Sequence, residues 1–93
     1  MKNVVISIGN SDNRLTQQEW FHYVDEVSWL ISKSKANVHF FGASENYKPW
    51  QNVAWWIEIN DFELLHLKIH LKNVREYYKQ DSVAMLEGET EFI

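Results

Sequence analysis

Four histidines are the first candidates for chemistry in this chain. His66 and His70 stand four residues apart, which puts both imidazoles on one face of any helix that carries them, as two metal ligands would be. A zinc-protease helix places a glutamate directly after the first histidine; Leu67 stands there instead, and no third ligand is spaced to complete the set. The segment therefore reads as a solvated face of His66, Lys68, His70 and Lys72, and no metal or other cofactor is expected. His22, Asp25 and Glu26 could form an acid–base group on another helix. Such triplets are ordinarily surface charge, because moving a pKa to where it serves catalysis takes burial. With no cysteine there is no thiolate nucleophile or redox pair, and three unclustered glycines make no phosphate-cradling loop. Catalysis is not the expected activity, and no residue is assigned a catalytic role.

What remains is recognition, and composition limits its kind. Apolar residues make up 45% of the chain, which takes it far from the signature of disorder. Ninety-three residues suffice for one domain, residues 1–93, with modest stability. The lack of cysteine suits a reducing compartment, no apolar run approaches a membrane span, and the expected setting is the cytoplasm. A net charge of −4, with acid gathered over residues 87–91, disfavours phosphate backbones.

The elements follow from periodicity and punctuation. Val4-Val5-Ile6-Ser7-Ile8 reads as a first strand. Thr16 with Glu19 three residues on is a capping box, with Leu15 and Trp20 as its hydrophobic staple, opening a helix that runs to about Ser32. Its apolar stripe is Trp20, Val24, Val27 and Ile31. Val38-His39-Phe40-Phe41 and Val53-Ala54-Trp55-Trp56-Ile57-Glu58-Ile59 read as strands. Asn60 and Glu63 repeat the capping box, Ile59 and Leu64 the staple, and Leu64, Leu67, Leu71, Val74 and Tyr78 the helical spacing. Ser82-Val83-Ala84-Met85-Leu86 is a fourth strand, and Glu87-Gly88-Glu89 is read as turning the chain into a short final one over residues 90–93. The order βαββαβ predicts an α+β ferredoxin-like sandwich, an antiparallel sheet with both helices on one face. The alternative is an α+β sandwich with another strand order.

In that architecture three loops, residues 9–14, 42–52 and 79–82, meet at one edge. They bring together Asn10, Ser11, Asp12, Arg14, Tyr47, Trp50, Gln51, Asn52, Gln80 and Asp81, a concentration of amide, hydroxyl and aromatic groups suited to binding a ligand or partner. The same residue types also populate turns for backbone reasons alone. Alternation directs Val4, Ile6, Ile8, Val53, Trp55, Ile57, Val83 and Met85 inward. It leaves Val5, Ser7, Phe41 or Phe40, Ala54, Trp56, Glu58, Ala84 and Leu86 on the other face. That face is too apolar to be simply wet. Phe41, Trp56, Glu58 and Leu86 are its expected oligomer-interface residues, with a second copy the simplest occupant, unless Phe92 and Ile93 fold back over it.

RNA-recognition domains share this element order, but the basic, glycine-rich strand they use is missing and the charge is of the wrong sign. Trp50-Gln51-Asn52, Gln80-Asp81-Ser82-Val83-Ala84 and Glu87-Gly88-Glu89-Thr90-Glu91 together give the C-terminal half a resemblance. It is similar to a group of small bacteriophage-encoded proteins in which a WQN segment and a QDS(V/I)A…EGxTE ending recur. The resemblance brings no catalytic residues; it implies an inhibitor or decoy of a host defence factor, working in the host cytoplasm by protein binding. The alternative is a sponge that sequesters a nucleotide-type signal in pockets between the copies of an oligomer, with Arg14 meeting phosphate.

Overall fold

The computed structural model describes residues 1–44 and 51–93. Its elements run β1 (Lys2–Gly9), a short 3-10 segment (Ser11–Asn13), α1 (Gln17–Lys33), β2 (Asn37–Ala43), β3 (Asn52–Ile59), α2 (Asp61–Tyr77) and β4 (Ala84–Gly88). The sheet order is β2-β3-β1-β4 with every neighbouring pair antiparallel, the ferredoxin-like arrangement expected from βαββαβ. No helix among the described residues is long and apolar enough to cross a membrane.

Local chemistry starts both helices where the sequence places them. At α1 both bonds of the capping box form: Thr16 Oγ1 accepts from the Glu19 N–H at 3.2 Å, and Glu19 Oε1 accepts from the Thr16 N–H at 2.9 Å. Those bonds hold the Glu19 carboxyl below its usual pKa. At α2 the Asn60 side chain accepts from the Glu63 N–H at 2.8 Å. Both staples, Leu15 with Trp20 and Ile59 with Leu64, lie buried. Each helix ends on a lysine in the left-handed region, Lys35 at φ 62° and Lys79 at φ 55°. At α2 the bonds Lys79 N–H to Glu76 O (3.1 Å) and Gln80 N–H to Arg75 O (3.0 Å) form a Schellman turn, which directs Gln80 back into the protein.

The core joins Val4, Ile6 and Ile8 of β1 and Val53, Trp55, Ile57 and Ile59 of β3 to the helix stripes. On α1 the buried set is Trp20, Tyr23, Val27 and Ile31, so Tyr23 holds the fully buried place expected for Val24, which is only partly buried. The Tyr23 ring stacks on Tyr78 at 4.9 Å.

Three expectations change. The fourth strand is shifted, starting at Ala84 and continuing through Glu87 and Gly88 because Val4 and Asn3 of β1 extend the ladder to meet them. Glu87-Gly88-Glu89 therefore does not turn, and residues 90–93 form no strand. Phe92 and Ile93 are fully exposed rather than folded over the sheet. Third, β2 carries a bulge between Val38 and Phe40. The extra residue sends both His39 and Phe40 to the uncovered face and returns Phe41 to the helix side, where its ring lies 5.4 Å from Trp55. Phe41 is thus not an outer-face residue; Phe40 is.

The Tyr23 hydroxyl is buried without a hydrogen-bond partner among the described residues, and burial pushes its pKa up to about 12. Tyr23→Phe removes an unpaired polar atom. It should leave stability unchanged or raise it by about 1 kcal/mol, lifting the Tm by roughly 4–8 °C. Between pH 10, the usual tyrosine value, and pH 12 the folded protein holds a proton that the unfolded chain releases, so stability falls as pH rises through that window. Tyr78, also raised to about 12, contributes to the same fall. Thermal melts of wild type and Tyr23→Phe across this range should show a shallower fall in the variant; a stability loss above about 1 kcal/mol at neutral pH would mean the hydroxyl is satisfied.

Candidate functional site: the loop edge

The Schellman turn after α2, the 3-10 segment after β1 and the start of β3 converge at one end of the sheet, and buried amides tie them together. Asn10 Nδ2 donates to Leu15 O and to Gln51 Oε1, both at 3.1 Å, while its Oδ1 accepts from the Leu15 N–H at 2.9 Å. Gln80 Oε1 accepts from the Ser11 N–H at 2.8 Å, and its Nε2 donates to Tyr78 O at 3.1 Å. Asn10 and Gln80 are both buried. Their hydrogen-bonding capacity is spent inside the protein, so they build the edge and do not present it to a ligand.

The groups that face outward differ. Arg14 donates to Asp81 Oδ1 at 2.9 Å and to Lys79 O at 3.1 Å, and lies 3.4 Å from Asp12 Oδ2. The bond and charge of Asp81 raise its pKa above the ordinary arginine value. Gln51 exchanges hydrogen bonds with Gln17 at 2.8 and 3.1 Å. Asn52 Oδ1 lies 2.9 Å from where a side chain on Gly9 would begin, so a larger residue there would have to turn the Asn52 amide aside. Of the expected site residues, Asn10, Ser11, Asp12, Arg14, Gln51, Asn52, Gln80 and Asp81 are brought to this edge; Tyr47 and Trp50 lie outside the described residues.

Two hollows flank this edge. A cavity of about 340 Å³ opens toward the uncovered sheet face between Ser7, Asn10, Ser11, Gln51, Asn52 and Ser82, with Asp12 beside it. Its lining of hydroxyls and amides suits neutral polar or peptide groups and contains no cation for a phosphate. On the helix side an open groove of about 870 Å³ is lined by Arg14, Glu19, His22, Tyr77, Tyr78 and Lys79. Here cations stand beside an exposed tyrosine ring, a pairing that fits an aromatic anion, although Arg14 is already matched by Asp81 and Asp12. Ser7, Ser82, Tyr77 and Lys79 are additions that sequence reasoning missed. Ser7 was legible as the last outward polar residue of β1; Tyr77 lies off the apolar stripe and gave no signal.

The remaining candidates lie elsewhere. Glu26 accepts from the Tyr78 hydroxyl at 3.3 Å. His66 and His70 line a separate groove between the helices, and no group of three or more His, Cys, Asp or Glu positioned for a metal occurs among the described residues. Trp56, Glu58 and Leu86 do lie on the uncovered sheet face. The chain matches no family model and no curated protein.

Burial separates architecture from recognition at this edge. Gln80→Ala leaves the Ser11 N–H without its partner and should cost about 1–3 kcal/mol in urea unfolding. Arg14→Ala, which breaks only exposed, solvent-screened ion pairs, should cost clearly less than Gln80→Ala. Equal losses would show that the ion pairs, not the buried amides, hold the loops.

Proposed function

We propose that this chain is a small non-catalytic binding protein, paired sheet to sheet with a second copy and capturing a protein partner at its loop edge. The observation that carries the reading is a continuous apolar row on the uncovered face, Leu86, Val5, Trp56 and Phe40, one residue from each strand. The row is self-complementary: a two-fold axis running along the strands between β1 and β3 sets Leu86 of each copy against Phe40 of the other. One step toward the loops, Ala84, Ser7 and Ala54 are small enough for close approach, while the Phe40 ring lies over Gly42. On the other side, Asn3 and Glu58 supply a polar rim, with the Trp56 Nε1–H donating to Asn3 Oδ1 at 3.2 Å and His39 Nε2 lying 2.8 Å from Glu58. A rigid, anchored tryptophan amid neutral contacts is the usual form of a binding hot spot.

A protein of this kind, if virus-encoded as the resemblance implies, serves as an inhibitor or decoy of a host factor. The hydroxyl- and amide-rich cavity at the loop edge supports a peptide-like partner there, while the groove holding Tyr77 and Lys79 favours the second reading, sequestration of a nucleotide-type ligand.

Sedimentation of wild type against Trp56→Glu tests the pairing. Dimers that dissociate in the variant are expected, and a wild-type monomer at high micromolar concentration removes it. Native mass spectrometry of protein purified from its host tests the function. A dimer carrying a second protein is expected, a dimer carrying a nucleotide-sized mass moves the function to the second reading, and bare chain contradicts both.

A further inference from the structure

The end of the molecule away from the loop edge carries two features the proposed function leaves unused. One is the groove of about 340 Å³ between the C-terminal part of α1 and the N-terminal half of α2. Leu30 and Leu67 form its floor, with Trp29 exposed above it, and Lys33, His66 and His70 line it together with one carboxylate, Glu63. The Lys33 ammonium lies 5.3 Å from the centre of the Trp29 ring, so a cation and an apolar surface are presented together. Phe62 of α2, exposed and with its ring 4.6 Å from that of His66, extends the apolar surface beside it. The other feature is the segment after β4, Glu89-Thr90-Glu91-Phe92-Ile93, where alternating carboxylates run into two exposed apolar residues. One surface is apolar, with the Lys33 ammonium and two imidazole donors around it against a single carboxylate; the other is apolar with three carboxylates, Glu87, Glu89 and Glu91, beside it.

We propose that residues 89–93 of one copy dock in the α1–α2 groove of a second copy, with Phe92 and Ile93 over Trp29, Leu30 and Leu67, and Glu89 and Glu91 toward Lys33, His66 and His70. The segment leaves the sheet after Gly88, next to Glu87, which Lys2 and Lys68 hold at 3.5 Å. Lys68 belongs to the flank of α2 that covers β4, whereas His66 and His70 belong to the flank facing α1. Five extended residues span at most about 18 Å. Passing over a helix about 10 Å across consumes nearly all of that, so the segment cannot both cross α2 and fill its own groove. Donor and acceptor lie at the same end of the molecule, which lets two copies exchange segments around a two-fold axis. This contact uses no residue of the Leu86–Phe40 row; made by five residues, it buries too little area to hold a stable dimer in sedimentation and is read by trapping, so it stands or falls separately from sheet pairing.

The absence of native cysteine gives a direct test in the full chain. Ile93→Cys and His70→Cys proteins, mixed under mild oxidation, should form the mixed disulfide dimer roughly tenfold more than Ile93→Cys mixed with Gln18→Cys, a control at the far end of α1, because docking raises the effective concentration of the pair. Phe92→Ala or Glu91→Lys added to the donor should reduce that yield, as should high salt. Glu63→Gln, which removes a carboxylate from the groove lining, should raise it. A mixed dimer no more abundant than the control overturns the proposal. So does an intramolecular disulfide in the double variant Ile93→Cys/His70→Cys, because the segment would then be covering its own groove. Repeating the experiment with Trp56→Glu in both proteins should leave the yield unchanged; a loss would make the contact a consequence of sheet pairing.

Discussion

The two crossovers of this four-stranded sheet place both helices on the same side, and the rest of this protein follows from that asymmetry. One face of β1 and β3 is sealed by Trp20, Tyr23, Leu64 and Leu71, and its residues Val4, Ile6, Ile57 and Trp55 are fully or almost fully buried. The other face has no helix to cover it. Soluble sheets usually resolve this with polar residues at alternate positions; here the alternate positions of the middle row are Leu86, Val5, Trp56 and Phe40, a pattern that makes sense when another surface completes the sandwich.

The polar groups divide along the same lines. Asn10 and Gln80 face inward and satisfy the backbone where the 3-10 segment, the turn after α2 and the start of β3 meet. Arg14, Asp12, Asp81 and the Gln17–Gln51 pair are left to face solvent. The exposed charges of this edge are mutually compensated, and an anion approaching Arg14 would have to displace Asp81. Tyr23 is the one buried polar atom in the core that this economy leaves unmatched among the described residues.

Much of this was legible in the sequence because it rests on local chemistry. Thr16 with Glu19, Asn60 with Glu63 and the two staples mark the helix starts, and period-two patterning marks the inward face of β1 and β3. What was not legible depends on pairing across the sheet. The bulge at His39 exchanges the faces of Phe40 and Phe41, yet nothing in Val38-His39-Phe40-Phe41 distinguishes a bulged strand from a regular one. The register of β4 is set by β1, which is why the strand runs on through Gly88 where turn chemistry suggested a reversal. The amides of the loop edge were correctly gathered by topology, but whether an amide faces a ligand or the core depends on the Schellman turn that aims Gln80 inward, and a lysine at its left-handed position hides the usual glycine signal.

The central claim, that the uncovered face is a contact surface anchored by Trp56, is tested most directly by following the indole N–H signals of the tryptophans by NMR through a dilution series. Pairing through this face predicts that the Trp56 signal, whose N–H is held by Asn3, shifts with protein concentration, while those of the buried Trp20 and Trp55 stay fixed. A Trp56 signal that does not move from high micromolar concentration to full dilution would contradict the account.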